Sequence, residues 1–135
     1  MSSGLFSETV KFLSGLEPIQ LELEQLYEQR LVALASVEPG LLQKLVEEEQ
    51  IIQQRLRTQL KKRAAILSNA RRERLNSTNL RRLLHELSRF VEPHGEIDAG
   101  QYQQAVDWMK RIEHRSWSLR QTSWVNCHAV RRGCR

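Results

Sequence analysis

Ser36-Val37-Glu38-Pro39-Gly40 is the stretch on which the reading of this chain turns. It separates two long runs of helix-forming residues, and connections this brief join helices that lie antiparallel as neighbours. Upstream, Leu16, Ile19, Leu23 and Leu26 recur at spacings of three, four and three and continue through Leu31 and Leu34, with Glu17, Glu22, Glu24 and Glu28 mostly on the other face. This is the apolar stripe of a long amphipathic helix over about residues 5–35. Pro18 is its defect. It marks a kink or a fresh start, because proline inside a helix costs about 3 kcal/mol, whereas at the first helical position it costs little. Downstream, Leu42, Leu45, Ile52, Leu56, Leu60 and Leu67 form the stripe of a second helix, from about Leu41 to Leu75. At 1.5 Å per residue that helix is roughly 50 Å long, more than a compact globule of this size covers, so an extended coiled-coil arm is expected. Glu49 and Arg63 fall on or near its seam, where they weaken packing and are able to fix register.

Working outward from this hairpin, which spans about residues 5–75, Asn76-Ser77-Thr78-Asn79 precedes Leu80, Leu83, Leu84 and Leu87. Such a cluster of capping residues reads as a helix stop followed by a new N-cap. A short third helix over about 79–91 follows, ended by the loop signal Glu92-Pro93-His94-Gly95. Asp98-Ala99-Gly100-Gln101 fits a capping box that opens a fourth helix over about 98–130. Its inward stripe is Tyr102, Ala105, Met109, Ile112 and Leu119. Trp117 and Trp124, seven residues apart, fall nearly in line and point well away from Leu119. Either the fourth helix is sandwiched between two surfaces, with the tryptophans covered by the N-terminal segment, or the tryptophan face is open to a partner.

The whole chain has 135 residues, 40% of them hydrophobic and 27% charged, with six Gly, three Pro and 6% aromatics. One all-α domain fits these figures, whereas sandwiches, barrels and Rossmann sheets need more β-branched runs and turn residues. No apolar run approaches the roughly 18 residues of a membrane span, and no secretory leader is apparent, so a cytoplasmic location is expected. Cys127 and Cys134 lie too close together to staple the fold and read as free thiols. Charge is segregated along the chain. Residues 1–54 carry three basic and nine acidic side chains, residues 55–89 eleven and two, and residues 90–135 seven and five. A strongly basic block after an acidic one is either a phosphate-binding stripe or the complement of its partner across a hairpin, and pairing is favoured.

Catalytic signatures are missing: there is no P-loop, dinucleotide fingerprint, HExxH or paired CxxC. His85, His94, His114 and His128 have no helical partner with which to form a metal pair, and Cys127, His128 and Cys134 match no common zinc spacing. No enzyme activity, cofactor or metal is expected. A nucleic-acid-associated module is the weaker alternative, because the arginines around residues 71–89 have no aromatic side chain among them on which a base would stack.

A long first helix, a break after Ala33-Leu34-Ala35, and a second helix carrying Leu45-Val46-Glu47-Glu48-Glu49-Gln50 and running to a basic end together resemble the FlgN-type flagellar export chaperones. Two later segments extend the likeness. Asn79-Leu80-Arg81-Arg82-Leu83-Leu84 is similar to the segment preceding the family's final helix, and Leu119-Arg120-Gln121-Thr122-Ser123-Trp124-Val125-Asn126 is the most specific match. Beyond Asn126 the chain departs from the family: where members continue with an apolar helical stretch, it runs Cys127-His128-Ala129-Val130-Arg131-Arg132-Gly133-Cys134-Arg135, which reads as altered or truncated. The resemblance implies an all-helical cytoplasmic chaperone that covers the C-terminal helical segments of hook-filament junction subunits and delivers them to the flagellar type III export gate, whose components are further candidate partners. On that reading Met109, Ile112, Trp117, Leu119, Trp124 and Val125 form the client-facing set, with a generic coiled-coil scaffold as the alternative.

Overall fold

The computed structural model describes residues 2–36 and 39–133, with side chains described over 3–35 and 40–123. Among the described residues four α-helices carry the fold: α1 (Ser2–Ser36), α2 (Pro39–Arg72), α3 (Leu80–Leu87), extended by a 3-10 turn at Ser88–Phe90, and α4 (Ala99–Gly133). The architecture is all-α, an antiparallel hairpin of α1 and α2 with α4 packed along α1. Among the described residues no helix is long and apolar enough to cross a membrane.

Cross-helix contacts fix the directions. Arg55 meets Glu22 and Arg30 meets Glu49, so α2 runs against α1. Ser3 bonds Glu96, and Gln20 bonds Ser116, so α4 runs parallel to α1. The central helix is therefore α1, with a long neighbour on each flank.

The core falls into two clusters. Leu5, Phe6, Phe12, Leu13 and Leu16 of α1 meet Ile66 and Ala70 of α2, the leucines of α3, and Ala105, Met109 and Ile112 of α4. Farther along, Ile19, Leu23, Leu26, Tyr27 and Ala33 of α1 pack on Leu45 and Ile52 of α2, with Leu119 of α4 partly buried against them. The α1 stripe thus holds at Leu16, Ile19, Leu23 and Leu26. Near the hairpin tip Leu31 is exposed, and Tyr27 and Ala33 take the inward positions.

Pro18 does not restart the helix. It sits within a continuous α1 and is solvent-exposed, and the helix forgoes the amide that proline lacks.

The starts of α3 and α4 follow their sequence signals, whereas α2 ends at Arg72, ahead of the expected Leu75. Arg74 takes a left-handed φ of 61°, Leu75 N–H donates to Ala70 O at 2.8 Å and Arg74 N–H to Arg71 O at 3.1 Å, which together close α2 as a Schellman motif. Asn79 caps α3 by accepting from Arg82 N–H at 2.8 Å, and Asp98 caps α4 by accepting from Gln101 N–H at 2.9 Å. Between them the loop folds back tightly: Glu92 N–H donates to Ile97 O at 2.8 Å and Ile97 N–H to Phe90 O at 3.0 Å. Gly95 is required there, because a Cβ would lie 2.2 Å from Phe90 O. This loop buries Ile97 and sets the first turn of α4 beside the start of α1.

Candidate functional site

Because α2 and α4 flank α1, a slot runs between them with α1 as its floor. One end of the slot is filled by α3, whose Leu80, Leu83, Leu84 and Leu87 are all buried. These four positions are one face of a helix. Tyr102 Oη donates to Leu84 O at 2.8 Å, tying that filled end to α4. Beyond the first turn of α3 the slot stays open, as a groove of about 1000 Å³.

Its floor is Phe12, Leu16, Leu23 and Tyr27 of α1, its α2 wall is Gln53, Leu56, Leu60 and Arg63, and its α4 wall includes Met109, Ile112, Ser116, Leu119 and Arg120. Asn79, Leu80 and Arg81 close the end at α3. From Phe12 to Tyr27 the floor extends about 22 Å at the helical rise, room for about four turns of a further helix. Leu60 is 43% exposed, although it belongs to the α2 stripe, because no helix covers that part of the slot.

Polar groups punctuate the groove. Gln20 is 3% exposed; its Nε2 donates to Ser116 Oγ at 2.8 Å and to Ile112 O at 3.2 Å, while its Oε1 has no hydrogen-bond partner among the described residues. Around the rim, Arg63 and Arg120 are exposed and form no ion pair with the described residues, and Arg81 lies 3.9 Å from Glu113. The rim is therefore net positive.

Behind the groove, α4 is fastened to the far side of α1. Glu17 accepts from Arg111 Nε at 3.4 Å and forms an ion pair with Arg115 Nη1 at 3.4 Å, and Arg115 lies 3.7 Å from Glu24. Burial pushes the Glu17 carboxyl up, but the Trp108 indole N–H together with Arg111 and Arg115 outweighs it and holds the group below the ordinary value of 4.5. These ties hold α4 to α1 without drawing it toward α2.

Of the candidate client-facing residues, Met109 and Ile112 are 7% and 5% exposed, packed against α1 in the groove wall, and Leu119 is half-buried in the same wall. Trp117 stands apart. It is 57% exposed and does not line the groove, so the N-terminal segment does not cover it. Trp124 and Val125 lie outside the residues whose side chains are described, as do Cys127, His128 and Cys134. Sequence patterning missed the α1 floor and the Leu56–Leu60 wall as site residues because they belong to stripes that read simply as core. The available signal was Arg63 on the α2 seam, a position at which a fully covered helix would place an apolar residue.

The basic block is mostly solvent-facing. Arg55–Glu22 is the ion pair that joins residues 55–72 of α2 to α1 among the described residues, whereas Arg57, Lys61, Lys62, Arg71 and Arg72 are exposed without ion-pair partners there. Register explains the outcome. Glu22, Glu24 and Glu28 lie toward the hairpin tip, and the arginines and lysines beyond Arg55 lie level with the sparsely charged first half of α1. Among the described residues no group of three or more His, Cys, Asp or Glu could hold a metal ion.

No protein-family model, curated protein or solved structure matches the chain.

Proposed function

We propose that the protein is a cytoplasmic helical chaperone of the flagellar export type, with no catalytic role, which holds a helical segment of a hook-associated subunit and hands it to the export apparatus. The observation that carries this reading is the open groove between α2 and α4, floored by α1 and already occupied at one end by the leucine face of α3. An unassembled subunit presents an amphipathic helix whose apolar face must be kept from self-association. A groove with apolar walls, about four turns long, receives such a face in the helix-in-groove manner, with anchors at i, i+3, i+4 and i+7. A partly polar wall, with Gln53, Ser116 and Arg120 among the apolar side chains, suits a complex that has to come apart again. The likeness of residues 16–126 to the FlgN-type chaperones supplies the identity of the client.

The test is co-purification of tagged protein from cells expressing hook-associated subunits, comparing wild type with Leu60→Asp. Leu60 is exposed in the free protein, so the aspartate leaves helicity and the melting temperature close to wild type. Placing a carboxylate against the apolar face of a docked helix is expected to weaken capture by at least about tenfold. Undiminished capture by a folded Leu60→Asp protein moves the client off the groove. Trp117→Ala provides the comparison: on this reading it leaves capture unchanged, because Trp117 does not line the groove.

A further inference from the structure

The occupant of the groove is constrained by more than an apolar face. Its α3 end carries Arg81 and, on the α2 wall, Arg63, and Arg120 lies on the α4 wall, while Glu113 is the acidic side chain among the lining residues. Arg63 and Arg120 have no ion-pair partner among the described residues, and Arg81 reaches Glu113 only at 3.9 Å. Among the described residues the segment that enters the slot is α3, which brings four leucines inward and has Asn79 at the end that meets the groove. A helix N-terminus carries partial positive charge, so the closed end of the groove is electropositive from both its side chains and its backbone. Beneath the groove the Oε1 of Gln20 is buried and has no hydrogen-bond partner among the described residues.

Resting on the helix-docking reading, we infer that the groove takes an acidic amphipathic helix whose C-terminal end lies against α3, its carboxylates meeting Arg63 and Arg81 at that end and Arg120 along the rim. In this orientation the occupant and α3 stack head to tail, with the electronegative end of one helix against the electropositive end of the other. Reversal sets two helix N-termini and the arginines against each other. A second copy of this chain fits less well, because the exposed outer face of α2 brings Arg57, Lys61 and Arg72 to a rim that is already cationic.

The test uses the full chain and synthetic helical peptides of about four turns that share one leucine face and differ elsewhere. One set carries Glu, Gln or Lys on the polar face; a second set compares a free C-terminal carboxylate with its amide. Binding is measured by fluorescence anisotropy over a range of salt concentrations. The Glu peptide is expected to bind roughly tenfold more tightly than the Lys peptide at low salt, with the difference shrinking as salt rises. The free carboxylate is expected to bind more tightly than the amide, and Arg63→Glu with Arg120→Glu is expected to reverse the Glu-over-Lys preference while leaving the circular dichroism unchanged. Equal binding of Glu and Lys peptides, equal binding of carboxylate and amide, or a preference that survives the double charge reversal would overturn the inference. In each of these cases Leu60→Asp still weakens binding at least about tenfold if the groove is a helix site, so the helix-docking reading stands. If peptides bind wild type and Leu60→Asp alike, that reading fails with the inference. A concentration-dependent dimer in light scattering that Leu60→Asp dissociates would assign the groove to a second copy and overturn the acidic-partner inference.

Discussion

Glu17 joins two helices through one carboxylate, and its chemistry gives the attachment of α4 a pH dependence. Its folded-state pKa lies below the ordinary 4.5, so the ionised form favours the folded state. The stabilisation is present at neutral pH and is lost as the pH falls from 4.5 through the lowered folded value. Glu17→Gln removes that dependence. The unfolding free energy of wild type is therefore expected to exceed that of Glu17→Gln at pH 7, and the two are expected to converge as the pH falls below the lowered folded value. Denaturant titrations at a series of pH values check this, and a gap that does not narrow on acidification would remove Glu17 as the titrating group. Its partners Arg111 and Arg115 were not legible as such in the sequence, because an ion pair between α1 and α4 depends on which flank of α1 the fourth helix takes. The same ambiguity hid Leu60. Periodicity puts it on the inward stripe, but burial requires a neighbour, and none covers that position.

At the scale of the element, the hairpin and both capped helices could be read directly from the sequence. Their signals are local: stripe spacing, capping residues and a short break. Pro18 shows where a local signal loses, since the apolar side chains before and after it both find buried sites along one continuous α1. Glu49 shows the converse. It looks like a packing defect on the α2 seam, yet it pairs with Arg30, which is 7% exposed and also lies 5.7 Å from the Tyr27 ring centroid. A buried arginine of this kind is far costlier alone than paired. Glu49→Leu is therefore expected to destabilise the protein by about 2–3 kcal/mol by leaving the guanidinium without its carboxylate. Adding Arg30→Met should recover most of that loss, since replacing both members of a buried pair with apolar residues is often close to neutral. A double-mutant cycle in chemical denaturation measures the coupling, and additive effects would mean that the pair contributes nothing to the hairpin.

At the scale of the whole molecule, the two core clusters divide the work unequally, and this sets how α4 should behave before and after a partner binds. Through Ile112, α4 shares a core with α1, α2 and α3; beyond it, over residues 113–123, Leu119 is its contribution to the second cluster, helped by the Gln20–Ser116 bond. Local opening is least costly where few apolar contacts must be broken. Amide hydrogen exchange is therefore expected to be slow over 99–112 and faster over 113–123 in the free protein. Filling the groove supplies the missing neighbour for this part of α4 and for the facing wall of α2. On binding a helical peptide, protection should rise over 113–123 and around 53–63, while α3, already packed, should change little. Uniform protection along α4 in the free protein would mean that the α1 face alone holds it. A rise confined to other segments would move the binding surface away from the groove. The graded outcome follows from the geometry: α3 fills the slot beside α1 at one end and leaves the rest open, so residues 113–123 of α4, which bring fewer apolar side chains to the core than 99–112, are the part that an incoming helix would complete.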